Sequence, residues 1–295
     1  MTTPQTKANR LARALGLRGI LYLKREDLHP LGSHKGRSIP AMIEHYQKLG
    51  LKDFCISSSG NAALAAARAI AAYNKKHVKA MTLVIFAGKK IDAAKLSALK
   101  RIAVKDANIT VKKVDNPKQS AFRLGQKGEA QNLRQSTDDA ALAGYAGLAR
   151  ELAKIKKLSA VFIPTSSGTA AQGLHIAFSQ LGLNPQIHVV QTAAVHPIAD
   201  YANGTRTLNA AYSLASAIVD RIGHRKQEVA AAIHESKGAA WIAADDEIRD
   251  AMRLARRTQK ISVSPNSALS LAGLSMAIKK GLAFGGPVVC ILSGK

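Results

Sequence analysis

An alternation of two kinds of segment, running almost from end to end, constrains this chain more than any other feature. Short apolar stretches read as strands: "ILYLK" (20–24), "DFCIS" (53–57), "MTLVIF" (81–86), "ITVKKV" (109–114), "AVFIP" (160–164), "IHVVQ" (187–191) and "VVCIL" (288–292). Longer, alanine-rich amphipathic stretches lie between most of them, at 38–49, 60–73, 92–104, 138–155 and 169–181, and read as helices. Residues 225–280 read as three helices, 226–236, 246–258 and 266–280, with little strand between them. Asp245 or Asp246 is expected to cap the second of these, and Ser264 or Asn266 the third. Strands and helices in alternation predict an α/β fold with mainly parallel sheets and right-handed crossovers. Seven or more strands are many for one doubly wound unit. Two lobes are therefore expected, each a mainly parallel sheet flanked by helices, with ligands beyond the carboxyl ends of the strands.

Composition excludes several classes. No apolar run approaches the about 20 residues that span a bilayer, and "MTTPQTKANR" has no apolar stretch behind its charges to make a signal peptide. A cytoplasmic protein is the expectation. Cys55 and Cys290 each sit inside a strand-like stretch and read as buried reduced thiols rather than a disulfide framework. The net charge of +24 predicts attraction to anions. The basic residues are dispersed in short clusters, however, and aromatics make up only 4% and do not interleave with them. Nucleic acid is therefore not expected as a partner.

Three strand-to-helix or strand-end turns carry chemistry. "SSSGNAALAAA" (57–67) runs from "DFCIS" into an alanine helix, and "PTSSGTAAQG" (164–173) runs from "AVFIP" into another. "VVCILSGK" delivers Ser293 at a strand's carboxyl edge. Small residues let the backbone approach a ligand closely, and helix N-termini offer amide donors to a phosphate. Each turn alone is what an ordinary serine N-cap looks like. Their shared position at strand ends, together with Lys35 in "LGSHKGRS", is what an anion or cofactor site needs.

Taken together, these segments resemble the fold-type II family of pyridoxal-phosphate enzymes, from about residue 15 onward. "LYLKREDLHPLGSHKGRS" is similar to the family segment bearing the Schiff-base lysine, "SSGNAALAAA" to its Ser/Thr-Gly-Asn loop, "PTSSGTAAQG" to its phosphate loop, and "ILSGK" to its last strand. Threonine synthase is the most similar subgroup. "SAIVDRIGHRKQEVAAAIHESKG" and "ADDEIRDAMRLARRTQKISVSPNSALSLAGL" resemble its C-terminal half. The resemblance implies a tryptophan synthase β-like architecture: a large domain of 1–40 and 141–295, a small domain of 41–140, and pyridoxal 5'-phosphate in the cleft between them. A homodimer is implied as well.

The resemblance also assigns roles. Lys35 would carry the cofactor and shuttle the α-proton, which requires a lysine pKa lowered by its surroundings. Asn61 would donate to the cofactor's phenolate oxygen. Ser58, Ser59, Gly60 and Asn61 would take the amino acid's carboxylate, and Ser166, Ser167, Gly168, Thr169 and Ala170 would ring the phosphate. Ser293 would face the pyridine nitrogen with a hydroxyl, leaving it unprotonated and favouring elimination or replacement over transamination. Lys95 would touch a phosphorylated substrate. The implied reaction converts O-phosphohomoserine to threonine.

The departures point elsewhere. Leu31, His34 and Gly36 stand where the family has Thr, Phe and Asp, and Ser166 and Thr169 replace glycines. The Arg, Glu and Lys that support the threonine synthase phosphate site are Ala141, Ala143 and Ala146. A serine/threonine ammonia-lyase or a β-replacing cysteine synthase is the alternative reading. A catalytically degenerate member that binds an anion or nucleic acid is a further one.

Overall fold

The computed structural model describes residues 2–294 and divides into two compact units, Met1–His29 with Tyr145–Lys295, and Pro30–Gly144. The first unit opens with β1 (Gln5–Lys7), α1 (Asn9–Leu15) and β2 (Leu21–Lys24). The second unit follows with α2 (Lys35–Lys48), β3 (Asp53–Ser57), α3 (Asn61–Asn74), β4 (Thr82–Gly88), α4 (Ala93–Lys105), β5 (Ile109–Val114), α5 (Pro117–Gln126) and β6 (Gln131–Asn132). The chain then returns to the first unit through α6 (Ala146–Leu152), β7 (Ala160–Pro164), α7 (Thr169–Gln180), β8 (Gln186–Thr192) and α8 (Pro197–Asn203). It finishes with α9 (Lys226–Glu235), β9 (Ala239–Ala243), α10 (Asp245–Gln259), α11 (Pro265–Lys279) and β10 (Val288–Ile291).

The first unit's sheet has the order β1-β2-β10-β7-β8-β9 and is parallel except for the β1–β2 pair. Successive side chains leave a strand on opposite faces, so strands buried on both faces supply two cores. Leu21, Leu23, Phe162, Val288 and Cys290 pack on one side with residues of α1, α10 and α11. Tyr22, Val161, Ile163, Val289 and Ile291 pack on the other with α6, α7, α8 and α9. At the end of β2, fully buried Lys24 pairs with Glu151 and donates to the Thr3 carbonyl at 2.8 Å, while the Thr3 hydroxyl donates to Glu26. This small ionic cluster pins the N-terminal segment.

The second unit's sheet, β5-β4-β3-β6, is parallel throughout. Phe54, Ile56, Leu83 and Ile85 face α2, α3 and α4, and Cys55 and Phe86 face Ala121 of α5. Both cysteines are free and buried, as the sequence predicts. Among the described residues no helix is long and apolar enough to cross a membrane.

Several expectations are corrected. The 225–280 region contains a strand, β9, which pairs in parallel with β8; its three alanines favour helix by propensity, and the pairing overrides them. Residues 138–155 are not one helix but a 3₁₀ turn, Asp139–Tyr145, followed by α6. Here Gly144 lies so close to α2 that an added Cβ would sit 2.3 Å from the Arg37 carbonyl oxygen. The N-cap of α10 is Ala244, not Asp245 or Asp246. Its amide donates to the Glu247 carboxylate at 2.9 Å, and Asp245 instead accepts from the Ser213 hydroxyl and the Leu214 amide, both at 2.9 Å. Ser264 does cap α11, accepting from the Ser267 amide at 3.3 Å.

Candidate functional site

In the first unit, the turn from β7 to α7 and the end of β10 lie at the carboxyl edge of neighbouring parallel strands. Thr165 follows β7, its amide donating to the Val190 carbonyl at 2.9 Å. Gly168 caps α7 with φ +86°, a left-handed conformation that side chains with a Cβ resist. A Cβ there would also meet Val229 Cγ2 at 2.7 Å. The first helical bond of α7 runs from Gln172 N to Gly168 O at 3.0 Å. The amides of residues 169–171 precede it and have no place in the helix ladder. The Ser167 and Thr169 hydroxyls are 2.9 Å apart. A turn of this kind, with small side chains and forward-pointing amides at the positive end of a 12-residue helix, suits a phosphate.

Ser166 does something the sequence does not announce. Its hydroxyl oxygen accepts from the amides of Val219 and Asp220, at 3.1 and 3.3 Å. A loop more than fifty residues further along the chain is thereby fastened to this turn. Ser293 is buried, with 6% exposure, and the residue after it is held on both sides. The Gly294 carbonyl accepts from the Ser264 and Ser267 hydroxyls at 2.5 and 2.7 Å, and the Gly294 amide donates to Ser267 at 3.1 Å. The N-terminus of α11 thus fixes where Ser293 stands.

In the second unit, Lys35 is the first residue of α2, three residues earlier than the helix was expected to begin, and is half-buried. Its amide donates to the hydroxyl of fully buried Ser33 at 3.2 Å, which fixes its backbone in the first turn. The β3–α3 turn places Ser58, Ser59, Gly60 and Asn61 at the carboxyl end of β3, all half-buried. The Ser58 hydroxyl accepts from the Gly60 amide at 3.2 Å and the Ser59 hydroxyl from the Gly88 amide at 3.0 Å. Both serine oxygens shape the turn, and their hydroxyl hydrogens are left for an acceptor. Asn61 opens α3. Lys95 lies half-buried in the first turn of α4, its amide donating to Asp92 at 2.9 Å.

The segment 139–147 holds no charge beyond Asp139. Ala141 is fully buried in the apolar core of its unit, Ala143 is exposed and Ala146 half-buried. Among the described residues there is no cluster of His, Cys, Asp and Glu that could hold a metal. Gln172, Arg225 and Ser267, to which the sequence reading gives no role, adjoin the first unit's turns, and Ser264, expected only as a helix cap, also holds the Gly294 carbonyl. Only their sequence separation hid them: each lies from four to more than fifty residues from the turn it supports.

The fold and these turns define an α/β enzyme scaffold with a phosphate-suited turn, a helix-initial lysine and no metal cluster among the described residues. The sequence matches the family described as "Pyridoxal-phosphate dependent enzyme" over residues 1–294, and the chain belongs to it. Its cofactor is pyridoxal phosphate and its fold is fold type II. The chain is 27% identical to the threonine synthase of Methanocaldococcus jannaschii over 316 aligned residues, covering 99% of this chain and 74% of that protein. Maize serine racemase superposes with a TM-score of 0.84 at 19% identity, over 99% of this chain and 87% of that one. Threonine deaminase isoform 2 of Solanum lycopersicum superposes with a TM-score of 0.81 at 20% identity, over 100% of this chain and 84% of that one. These two likenesses carry the fold.

Proposed function

We propose that this chain acts on a small amino acid by elimination and replacement at the β or γ carbon, in the manner of threonine synthase. The overall reaction would take O-phosphohomoserine and water to threonine and inorganic phosphate. The observation that carries the reading is Ser293, a neutral hydroxyl held at the carboxyl end of β10 by the Gly294 clamp. The similarity to threonine synthase, which spans 99% of this chain, supports it.

When bound, the cofactor supplies an electron sink for the charge left at the α carbon. The residues of the chain do the rest. Lys35 links the cofactor and moves the α-proton. The hydroxyls of Ser58 and Ser59 and the amides of Gly60 and Asn61 would take the substrate carboxylate, and the Asn61 side chain would meet the ring oxygen. The turn 166–170 holds the phosphate through its amides and hydroxyls. The Ser293 hydroxyl would face the ring nitrogen without charging it, which would restrain transamination. Lys95 stands ready for an anionic leaving group.

A second reading rests on a specific observation. Ala141, Ala143 and Ala146 offer no charge to a substrate phosphate, and Ala141 is buried in the core. That favours an unphosphorylated hydroxy amino acid and ammonia-lyase chemistry. Phosphate release from O-phosphohomoserine, measured beside ammonia and keto-acid release from serine and threonine, separates the two. No turnover of O-phosphohomoserine by cofactor-loaded protein refutes the first reading. The visible absorption of the lysine-bound cofactor is expected in the wild type and lost in Lys35→Ala. Its absence from wild-type protein supplied with cofactor would favour a non-catalytic, anion-binding role.

A further inference from the structure

We propose that His196 is a proton-dependent latch, whose ring has to carry both of its protons to tie the loop after α8 to the end of β8. His196 is the N-cap of α8 and only 1% exposed. Its Nδ1 lies 3.1 Å from the Thr192 carbonyl oxygen, and its Nε2 lies 3.2 Å from the Thr207 carbonyl oxygen. A carbonyl oxygen only accepts, so both ring nitrogens have to donate. A neutral imidazole has one N–H and an imidazolium has two. The ring that satisfies both contacts is therefore the imidazolium. Asp200, one turn further along α8, supplies the counter-charge that a buried cation needs, with its Oδ2 3.5 Å from Nε2.

The same carboxylate grips the loop. Asp200 Oδ1 accepts from the Thr207 amide at 3.1 Å and from the Thr205 hydroxyl at 3.3 Å, and the Thr205 amide donates to the Asp200 carbonyl at 3.0 Å. His196, Asp200 and Thr207 thus close a ring of contacts around the bend that follows α8. Among the described residues Asp200 is the charged group in contact with the imidazole, and β8 and the loop present only the two carbonyls to it. The basic groups of α9, which packs on α8, are directed further along that helix. Lys226 lies over the Tyr201 ring, 5.6 Å from its centroid, and His234 Nε2 lies 3.2 Å from the Ala202 carbonyl oxygen. When one proton leaves His196, a nitrogen lone pair confronts a carbonyl lone pair, and that contact turns from attraction to repulsion. Whichever nitrogen keeps its proton, the tie from Thr192 to Thr207 is broken. The freed segment borders the Ser166 turn at both of its ends. Ile198 and Ala199 donate to Gln191 Oε1, both at 2.9 Å, and Gln191 Nε2 donates to the Ser166 carbonyl at 3.4 Å. Val219 and Asp220 return to the Ser166 hydroxyl oxygen.

The test follows the loop and the ring separately, in full-length cofactor-loaded protein at about pH 5.5 and about pH 8, on either side of the range in which imidazoles ordinarily titrate. Hydrogen exchange read by mass spectrometry gives the protection of the amides in 203–210, each taken relative to the intrinsic rate at that pH. In the wild type this protection should fall by about 10-fold or more from the lower to the higher pH, while that of β7 stays within about 2-fold. His196→Gln, which keeps one donor and does not titrate, should show the lower protection at both. Proton–nitrogen correlation spectra of protein labelled at the histidine ring nitrogens report the protons directly. The His196 signal, identified by its loss in His196→Gln, should show two protonated nitrogens at the lower pH and one at the higher. A neutral ring at the lower pH overturns the proposal. So does wild-type protection that is the same at both pH values, or a fall that persists in His196→Gln. Should His196→Gln fail to fold, His196→Asn takes its place, and the wild-type exchange comparison stands without either. No amino-acid substrate enters these measurements, so their failure leaves turnover of O-phosphohomoserine free to stand.

Discussion

Replacing Gly168 by alanine tests whether the phosphate turn is as tightly built as its geometry indicates. With φ at +86°, an L-residue there bears a conformational cost of about 1–2 kcal/mol. The new methyl would lie 2.7 Å from Val229 Cγ2 and 3.2 Å from Ile198 Cδ1. Both residues are fully buried, so neither can retreat into solvent, and overpacking of this kind costs about 1–3 kcal/mol. Alanine restricts the unfolded chain slightly and returns about 0.4–1 kcal/mol. The net loss is about 2–4 kcal/mol. The single tryptophan, Trp241, is buried in β9 of the same unit, so its fluorescence in a urea titration reports that unit alone. With a slope of about 2–3 kcal/mol per molar urea, the midpoint should fall by about 1 M. Gly182→Ala is the control: it shares a positive φ, +67°, but has nothing within 4 Å of the added carbon. It should lose only the conformational part, about 1 kcal/mol. If the two variants shift the midpoint equally, or Gly168→Ala does not shift it, the steric argument is wrong.

Burial pushes the His188 imidazole down to about 4. Its Nδ1 accepts from Trp241 Nε1 at 3.2 Å and its Nε2 lies 3.1 Å from Gln186 Oε1, an arrangement that suits the neutral ring. The unfolded chain, with a pKa near 6.5, therefore takes up the proton first. This group's contribution is complete above pH 6.5 and is lost as pH falls toward 4, by about 3 kcal/mol. Urea midpoints at pH 7 and 4.5 should differ less in His188→Gln than in the wild type; equal acid sensitivity would contradict the assignment. Burial also pushes the Cys55 thiol up to about 11 and raises that of Cys290 as well, so neither should alkylate at pH 8 before unfolding and both should afterwards. Mass spectrometry counts the labels, and rapid native labelling of Cys290 would refute its packing. Tyr46 donates to Asp138 at 2.7 Å, and burial with that bond pushes its phenol up to about 12. Tyr46→Phe should cost about 1 kcal/mol, read from the thermal midpoint, and an unchanged midpoint would show the bond to be idle.

Local pattern carried much of this fold. Strands 53–57, 109–114 and 160–164 begin and end where the apolar runs do, because each is a β-rich run bounded by breakers or polar residues. β9 escaped because alanine does not distinguish a strand from a helix, and β1 and β6 are too short to show a period. Lys35 stands out from the other basic residues only through the small residues before it and the turns elsewhere in the chain. Ser166 and Arg225 illustrate the opposite case. A serine before a helix looks like a cap, and an arginine in a chain with 43 lysines and arginines looks like solvated surface. Their work depends on a contact across more than fifty residues, which no local window contains.

The position of β10 bears on how the protein is made. This strand lies between β2 and β7, bonded to both, although β2 emerges near the start of the chain and β10 near its end. The second unit is one uninterrupted stretch, Pro30–Gly144, and can fold while synthesis continues. The first unit cannot: until residues 288–291 leave the ribosome, β2 and β7 each present an open edge to the same missing neighbour. During that interval the nascent chain carries exposed strand edges, the surfaces most prone to wrong partners. Ser293 arrives with the strand that ends this exposure, so a chain that has not sealed its sheet cannot yet place the hydroxyl assigned to the cofactor ring.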